Sequence, residues 1–202
     1  MIKMQDLLLG AIMRAAHIHR YSAIPVNHTE SVAEHSFFVA AYADRISIDL
    51  NCSMETNRLA VRAALWHDIE ETLTGDFIRS FKYSDSKMKA MMDDAAHECA
   101  FKVFEEIIND EIKSGQALMI WHEAKRDSLV GKIVKFSDFL SVVAYVSKEC
   151  AMGNRFAMKM MWYALPDYLK LFQVGGYSEF KPYLDDVQEI LKGGWEDVRV
   201  TI

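Results

Sequence analysis

Proline and glycine are scarce in this chain, which favours a fold built from helices. Only three prolines and nine glycines interrupt 202 residues, and the two-residue alternation that marks a half-buried strand is almost absent. Apolar residues recur instead at three- and four-residue steps, as in Met88, Met91, Met92 and Ala95. Such spacing gathers them on one helix face, where we expect the methionines to pack in a core. The predicted fold class is therefore all-α.

Periodicity and glycine stops divide the chain into helices. The predicted helices cover 3–16, 31–49, 55–73, 85–112, 116–123, 128–151, 154–173 and 182–192. Composition does not shift along the chain and the length suits one domain, so we predict a single compact helical domain over residues 1–202. The tail over residues 193–202 is either a docked strand or an oligomer contact, and the sequence does not decide between them.

Charge, cysteine content and apolar run length exclude several classes of function. The formal net charge of −6 repels nucleic acid polymers, so phosphate binding would need a local cluster of cations and metal. Three widely spaced cysteines indicate a reducing cytoplasm without a disulfide framework. No apolar run is long enough to span a membrane. Residues 1–17 lack a small-residue cleavage site, which predicts an amphipathic helix rather than a signal peptide.

The strongest chemical signal is the adjacent pair His67-Asp68. Glu71 follows four residues after His67 and three after Asp68, so a helix would place it beside both. Small residues precede the pair on the same stripe (Ala60, Ala63 and Ala64) and would leave room for an ion and a substrate. A solvated acidic helix end is the simpler interpretation. Because acidic residues oppose the dipole at that end of a helix, the arrangement favours function.

Two more residues complete a candidate ligand set. Ser31 and Glu34 form a capping-box pattern, which places His35 in the first turns of a helix; taken alone, His35 is more typical of a core histidine. Asp138 lies in a mostly apolar helix, where an unpaired carboxylate is costly and needs a cation. Either Lys135, three residues earlier, or a metal ion would supply that charge. A metal would leave Lys135 free for phosphate.

The candidate ligands His35, His67, Asp68 and Asp138 offer two nitrogen and two oxygen donors. This mixed set suits one divalent transition metal ion with positions open for water and a phosphoryl oxygen. Ligand type does not choose among manganese, cobalt, zinc, iron and nickel.

The order and spacing of these residues resemble the HD-domain phosphohydrolase superfamily, and in particular its bacterial 5′-deoxynucleotidase branch, whose plan phage-encoded dATP triphosphohydrolases share. A bare His-Asp pair is a weak indication, but the whole series in order over roughly residues 19–140 is specific. The matching segments are His19-Arg20-Tyr21, Val32-Ala33-Glu34-His35-Ser36, His67-Asp68, Glu71-Thr72-Leu73-Thr74-Gly75-Asp76, Lys82-Tyr83, and Lys135 with Asp138.

The resemblance implies a role for each matched residue. The four candidate ligands match the metal ligands of the family. Glu71 matches a carboxylate that orients or deprotonates the attacking water, and Asp76 matches an acidic residue near the sugar 3′-hydroxyl or that water. The cations that match phosphate-binding residues are Arg20, Lys82 and Lys135.

Two departures from the family pattern concern recognition of the sugar and the base. Tyr21 stands where the relatives often carry tryptophan against the sugar. The loop after Asp76 lacks the usual prolines and contains Arg79 as an extra cation, in a region that lies close to substrate in the relatives. We therefore assign Tyr21 and Arg79 to sugar or base binding.

The predicted function is metal-dependent hydrolysis of deoxynucleotides by attack of water on the α-phosphorus. A deoxynucleoside 5′-monophosphate would give a deoxynucleoside and phosphate. The alternative substrate is a deoxynucleoside triphosphate, releasing triphosphate, for which Arg79 is the only local hint. A metal-stabilised binding module without turnover would have no need of Glu71. A cyclic-nucleotide or ribonucleotide phosphodiesterase stays open, although many of those use a second metal and more histidines.

The predicted partner is a small deoxynucleotide, not a nucleic acid polymer or a membrane, and the predicted location is the cytoplasm. Dimers and larger rings are common among the resembling proteins, so the resemblance also implies that a homo-oligomer is possible.

Overall fold

Helices make up nearly all the regular structure in residues 10–76 and 85–193, the parts of the chain that the computed structural model describes. The α-helices are α1 (Ala11–Arg14), α2 (Val32–Asp49), α3 (Met54–Trp66), α4 (Glu71–Thr74), α5 (Ser86–Ile108), α6 (Glu111–Glu123), α7 (Leu129–Ala151), α8 (Arg155–Met160), α9 (Leu165–Val174) and α10 (Lys181–Gly193). Single 3₁₀ turns occur at Trp162–Ala164 and Ser178–Phe180. The described residues contain no strand, and one isolated bridge joins His19 to Ser31. The all-α prediction is confirmed.

Several predicted helix boundaries agree closely with the structure. Helices α2, α7 and α10 follow the predictions for 31–49, 128–151 and 182–192. Helix α1 begins after Gly10 and ends before Ala15, so it covers only part of the predicted 3–16, and residues 1–9 lie outside the described residues. Most of the 193–202 tail lies outside them too.

The predicted helix over 55–73 is wrong, because it is divided where the chemical residues lie. Helix α3 ends at Trp66 and α4 begins at Glu71. In the turn between them, Ile69 N donates to Trp66 O at 3.1 Å and Glu71 N donates to Asp68 O at 3.0 Å. These three-residue hydrogen bonds tighten the backbone beyond an α-helix and turn the His67-Asp68 pair out of the α3 spiral.

The predicted boundaries at 85–112 and 154–173 are also wrong, each for a local reason. Helix α5 ends at Ile108 because Asn109 takes a left-handed φ of 51°, and Asp110 then caps α6 by accepting from Lys113 N at 3.1 Å. In the second case Pro166 lies in the first turn of α9. Proline lacks an N–H and is tolerated there but not in a helix interior, so it begins a new helix.

Helices α2, α3 and α7 pack against one another and form the centre of the larger core. Ala60, Ala63 and Ala64 on α3 are fully buried, and their small side chains let the neighbouring helices approach closely. The expectation that these alanines leave open space is wrong, since they fill the contact between helices. The same core continues through Phe136 and Phe139 to α9 and α10.

A second, smaller core lies mainly between α5 and α6. Its buried members include Ala100, Val103, Phe104 and Trp121. The expectation that the methionines of α5 form core is not met, because Met91 is 68% exposed. The first half of α5 lines a cavity instead, as described below.

In the described part of the chain, no helix is long and apolar enough to cross a membrane. The single domain over residues 1–202 stays a prediction.

Phe136→Ala should lower the free energy of unfolding by about 3–5 kcal/mol, as expected for a large buried aromatic. Phe136 is fully buried and its ring contacts Phe139, Phe172 and Phe180. Urea unfolding followed by circular dichroism measures the change. Phe156→Ala is the control, since that ring is 56% exposed and its loss should change stability by no more than about 0.5 kcal/mol. Equal effects of the two substitutions would contradict the assignment of the core.

Candidate functional site

The start of α2 places His35 in the protein interior. The Ser31 hydroxyl accepts from Glu34 N at 3.2 Å, and the Glu34 carboxylate accepts from Ser31 N at 2.7 Å. This reciprocal pair is the capping box that the sequence predicted. It begins the helix at Val32, and His35, one turn later, is completely buried.

A buried anchor fixes the turn that carries His67 and Asp68. The Glu70 carboxylate accepts from Trp121 Nε1 at 2.7 Å and from Lys125 Nζ at 3.2 Å. Lys125 Nζ also donates to the His67 carbonyl oxygen at 3.0 Å. Nothing in the sequence pointed to Glu70, Trp121 or Lys125, because no local pattern joins residues more than fifty positions apart.

The four candidate ligands converge from three parts of the fold. Nε2 of His35 lies 3.2 Å from Nε2 of His67 and 3.2 Å from Oδ1 of Asp138. Oδ2 of Asp68 lies 3.1 Å from Nε2 of His67 and 3.7 Å from Nε2 of His35. Donor atoms of His35, His67 and Asp138 all fall within 4.8 Å of one another. We call these four residues the HD cluster.

The hydrogen bonds behind the imidazoles suit the cluster to a cation. Nδ1 of His67 lies 2.7 Å from the Ala64 carbonyl oxygen, which can only accept, so Nδ1 carries the hydrogen. Nδ1 of His35 lies 3.1 Å from Ser141 Oγ, which can accept in the same way. In the neutral form with the hydrogen on Nδ1, each ring would present the lone pair of its Nε2 to the other ring. Two facing lone pairs beside two carboxylates match the needs of a divalent metal ion.

The two histidines of the cluster have pKa values shifted in opposite directions. Burial, followed by the positive charge of Arg20, lowers the pKa of His35 to about 4. Burial acts in the same direction on His67, but Asp68 outweighs it and the pKa of His67 is raised. Burial opposes ionisation of Asp68 and Asp138, yet the neighbouring imidazoles lower the pKa of both carboxyls. Among the described residues, no lysine or arginine forms an ion pair with either carboxylate.

Glu71 lies beside the cluster, where the charge of Arg20 compensates its carboxylate only in part. Its Oε2 atom is buried and has no hydrogen-bond partner among the described residues. Burial, and then the charges of Asp68 and Asp76, hold the pKa of this carboxyl well above its usual range. A buried unsatisfied acceptor is unfavourable for stability and is more typical of a functional group.

Arg20 and Tyr21 lie close enough to the cluster for the charge of Asp138 to raise the pKa of both side chains. Arg20 Nη1 pairs with Glu30 Oε2 at 2.7 Å, so part of its charge is already neutralised. Tyr21 has a left-handed φ of 61°, and its backbone N–H donates to Asp76 Oδ2 at 2.9 Å. One carboxylate oxygen of Asp76 therefore supports the backbone of Tyr21. The predicted contact of Asp76 with sugar or water stays a prediction.

A cavity of about 760 Å³ opens beside the cluster. His67, Asp68 and Asp138 line it, together with Lys125 and Lys135. Its volume lies in the usual range of roughly 300–1,000 Å³ for small-molecule sites. Helices α5 and α9 complete the wall, so the first half of α5 faces this space instead of a core.

The predicted cations are found in different places. Lys135 Nζ donates to the Arg126 carbonyl oxygen at 3.2 Å, and no ion pair with Asp138 occurs. The alternative in which Lys135 neutralises Asp138 is therefore not what the structure shows. Arg20 does not line the cavity. Lys82 and Arg79 belong to residues 77–84, outside the described residues.

Comparison with known proteins places this geometry in context. The model of the YfbR-like 5′-deoxynucleotidase family matches residues 8–171. The 5′-deoxynucleotidase YfbR of Escherichia coli (strain K12 / DH10B) is 30% identical over 153 residues, which make up 74% of this chain and 76% of the relative.

Solved structures share the fold at lower identity. An HD-domain phosphohydrolase from Listeria innocua has a TM-score of 0.72 at 20% identity and covers 90% of this chain and 86% of its own. The cyanophage S-2L HD phosphohydrolase DatZ, bound to dA and one catalytic Zn²⁺ ion, has a TM-score of 0.53 at 21% identity and covers 68% and 69% of the two chains.

Glu70 and Glu71 should respond oppositely to truncation. Glu70→Ala should lower the free energy of unfolding by about 2–3 kcal/mol, because it removes a charge-assisted hydrogen bond and leaves the indole N–H of Trp121 unpaired. Glu71→Ala should leave that free energy unchanged or raise it, because it removes a carboxylate that burial disfavours and whose Oε2 has no hydrogen-bond partner. Urea unfolding at pH 7 with a chelator compares the neighbours directly. A larger loss for Glu71→Ala would show that its carboxylate supports the fold.

Proposed function

Since this chain belongs to the YfbR-like 5′-deoxynucleotidase family, we propose that it hydrolyses deoxynucleoside 5′-monophosphates to deoxynucleosides and phosphate with the help of a divalent metal ion. One observation carries the proposal: the HD cluster converges from three parts of the fold, and the Glu71 carboxylate lies beside it with one buried oxygen unsatisfied. A site built only for stability has no use for that carboxylate.

The HD cluster (His35, His67, Asp68 and Asp138) would hold the ion. When bound, a divalent ion withdraws charge from a phosphoryl oxygen and lowers the pKa of water from about 15.7 towards neutrality. DatZ, which has a similar fold, is described with one catalytic Zn²⁺ ion and dA, which supports a single ion and a deoxynucleoside ligand here. The donor types leave the metal unspecified among zinc, cobalt, manganese, iron and nickel.

The chain's own groups would supply the remaining chemistry. Glu71 would orient the attacking water and accept its proton, because its carboxylate oxygen lacks another partner. Lys135 in the cavity wall, and Arg20 through its charge beside Asp68 and Asp138, would balance the charge of the phosphate, the main protein contribution to phosphoryl transfer. Lys82 would join them, and Arg79 would contact the sugar or base. Asp76 would approach the sugar 3′-hydroxyl or the water with the oxygen that Tyr21 does not occupy.

A deoxynucleoside triphosphate is the second candidate substrate, favoured by the size of the cavity and by Lys125 and Lys135 in its wall. Attack at the α-phosphorus is the same for both substrates, and only the leaving group differs. The homo-oligomer and the cytoplasmic location stay predictions.

Product analysis should separate the candidate substrates. We expect dAMP, incubated with the protein and each of several divalent metals, to yield deoxyadenosine and phosphate, with AMP cleaved at a lower rate. Chromatography identifies the products. Release of triphosphate from dATP, with dAMP left intact, would replace the monophosphatase assignment by the triphosphohydrolase. No turnover of any nucleotide in the metal-loaded protein would leave a binding module.

Glu71→Ala should keep the metal and lose activity on the order of a hundredfold or more in kcat, the usual range for loss of acid–base help. Asp138→Asn is the matched comparison and should lose metal and activity together, because a neutral amide binds a hard cation weakly. Elemental analysis and phosphate release measure the two properties on the same samples. Near-normal turnover of metal-loaded Glu71→Ala protein would remove Glu71 from the mechanism.

Tyr21→Ala should raise the ratio of kcat/KM for AMP over dAMP by about ten- to a hundredfold, which corresponds to roughly 1–3 kcal/mol for an unpaired buried hydroxyl. The Tyr21 ring is stacked on Tyr145 with centroids 4.5 Å apart, and a ring held in this way would be a rigid wall against a 2′-hydroxyl. Arg20→Ala is the control and should weaken both substrates equally through phosphate. An unchanged ratio in Tyr21→Ala would assign sugar selection to another part of the pocket.

A further inference from the structure

Helix α7 carries a row of polar residues that extends beyond the metal cluster. Asp138, Ser141, Tyr145 and Glu149 follow at three- and four-residue steps, which places them within roughly 80° of one another around the helix. Asp138 belongs to the HD cluster and Ser141 contacts His35. Tyr145 and Glu149 lie nearer the C-terminal end of the helix and have no part in the proposed chemistry.

Glu149 is completely buried and forms no ion pair among the described residues. Its Oε1 accepts from His28 N at 2.9 Å. Its Oε2 accepts from Asn27 N at 2.8 Å and from Asn154 Nδ2 at 2.6 Å. Burying a carboxylate is unfavourable unless its oxygens are hydrogen-bonded. Here neutral donors satisfy it, and two of them are backbone groups of the segment that follows Arg20 and Tyr21.

Tyr145 contacts the same segment at two further points. Its ring is stacked on Tyr21 with an interplanar angle of 13°, and its hydroxyl donates to the His28 carbonyl oxygen at 2.6 Å. Arg20 N donates to the Glu30 carbonyl oxygen at 2.9 Å and closes the base of the segment. We call residues 20–30 the Arg20–Glu30 loop.

The row therefore connects the Arg20–Glu30 loop to the HD cluster through one rigid element. Asp138 and Glu149 are eleven residues apart, which is about 16 Å along an α-helix. A helix holds that distance better than a loop does. The loop carries both the cation and the aromatic ring assigned to phosphate and sugar, so its placement sets where a nucleotide would lie relative to the metal ligands.

We propose that Glu149 is a positioning residue: it holds the Arg20–Glu30 loop against α7 and so fixes Arg20 and Tyr21 beside the HD cluster. The inference rests on the proposed function, since Arg20 and Tyr21 matter here only as ligand contacts. Glu149 acts through the loop and touches neither the metal ligands nor the substrate.

Glu149→Gln is the test, because it keeps the shape of the side chain but turns an amide NH₂ towards N–H donors. We expect the KM for dAMP to rise about tenfold, the preference for dAMP over AMP to fall, and kcat and the metal content to stay within about twofold of wild type. The dissociation constant of the metal-loaded protein for inorganic phosphate, measured by calorimetry, should rise in parallel with KM. Amide hydrogen exchange at Asn27 and His28 should become faster.

Val143→Ala on the same helix is the matched control. Val143 is buried and apolar, so its truncation should lower the melting temperature without changing KM, phosphate binding or exchange in the loop. Parallel shifts of KM in both variants would overturn the proposal, because they would follow from lost stability alone. Faster exchange in Glu149→Gln with unchanged KM and phosphate binding would also overturn it.

Two further measurements keep the test decisive. If Glu149→Gln does not fold, Tyr145→Phe removes the bond to the His28 carbonyl while keeping the stacked ring. It should shift KM and phosphate binding in the same direction by a smaller factor, and no shift would overturn the proposal.

If the wild-type protein hydrolyses no nucleotide, the proposed function fails, while phosphate binding and loop exchange still decide whether Glu149 positions Arg20.

Discussion

The approach of two imidazole nitrogens, Nε2 of His35 and Nε2 of His67, to 3.2 Å is the constraint on which the site depends. It requires the start of α2 and the turn after α3 to meet beside Asp138 on α7. The capping box at Ser31 sets the first of these positions, and small alanines let α2, α3 and α7 approach closely. The larger core therefore positions the donors as well as stabilising the fold.

The neighbouring carboxylates of Glu70 and Glu71 differ in how their oxygens are hydrogen-bonded. Glu70 is satisfied by Trp121 and Lys125 and holds the turn, whereas Glu71, the next residue, keeps an unpaired buried oxygen. Adjacent carboxylates in one turn thus have opposite environments, and the proposed function assigns only the second, Glu71, to chemistry. The arrangement is typical of active sites, where a group that is unfavourable for stability persists because the surrounding contacts hold it in place.

Local patterns in the sequence predicted the features that depend on neighbouring residues. The capping box and the extent of α7 were readable because each depends on spacing within a few residues, whereas the candidate ligand set came from the order of His35, His67, Asp68 and Asp138 along the chain and its resemblance to the family pattern. The break in the helix at residues 67–70 could not be predicted, since helix propensity favours one continuous helix there. Only the distant contact of Glu70 with Trp121 and Lys125 supports the turn. Periodicity likewise showed that α5 has an apolar face, but not that its first half would line a cavity. The bonds from Glu149 to Asn27 and His28 join residues more than a hundred positions apart, which no local pattern reports.

X-ray absorption spectroscopy of the metal-loaded protein tests the central claim most directly, because it counts the ligand types around the ion. We predict one ion per chain with two imidazole ligands, the remainder oxygen, and no sulfur, and loss of one imidazole in either His35→Ala or His67→Ala. A sulfur ligand, three or more imidazoles, or a spectrum unchanged in both variants would place the metal elsewhere and contradict the account.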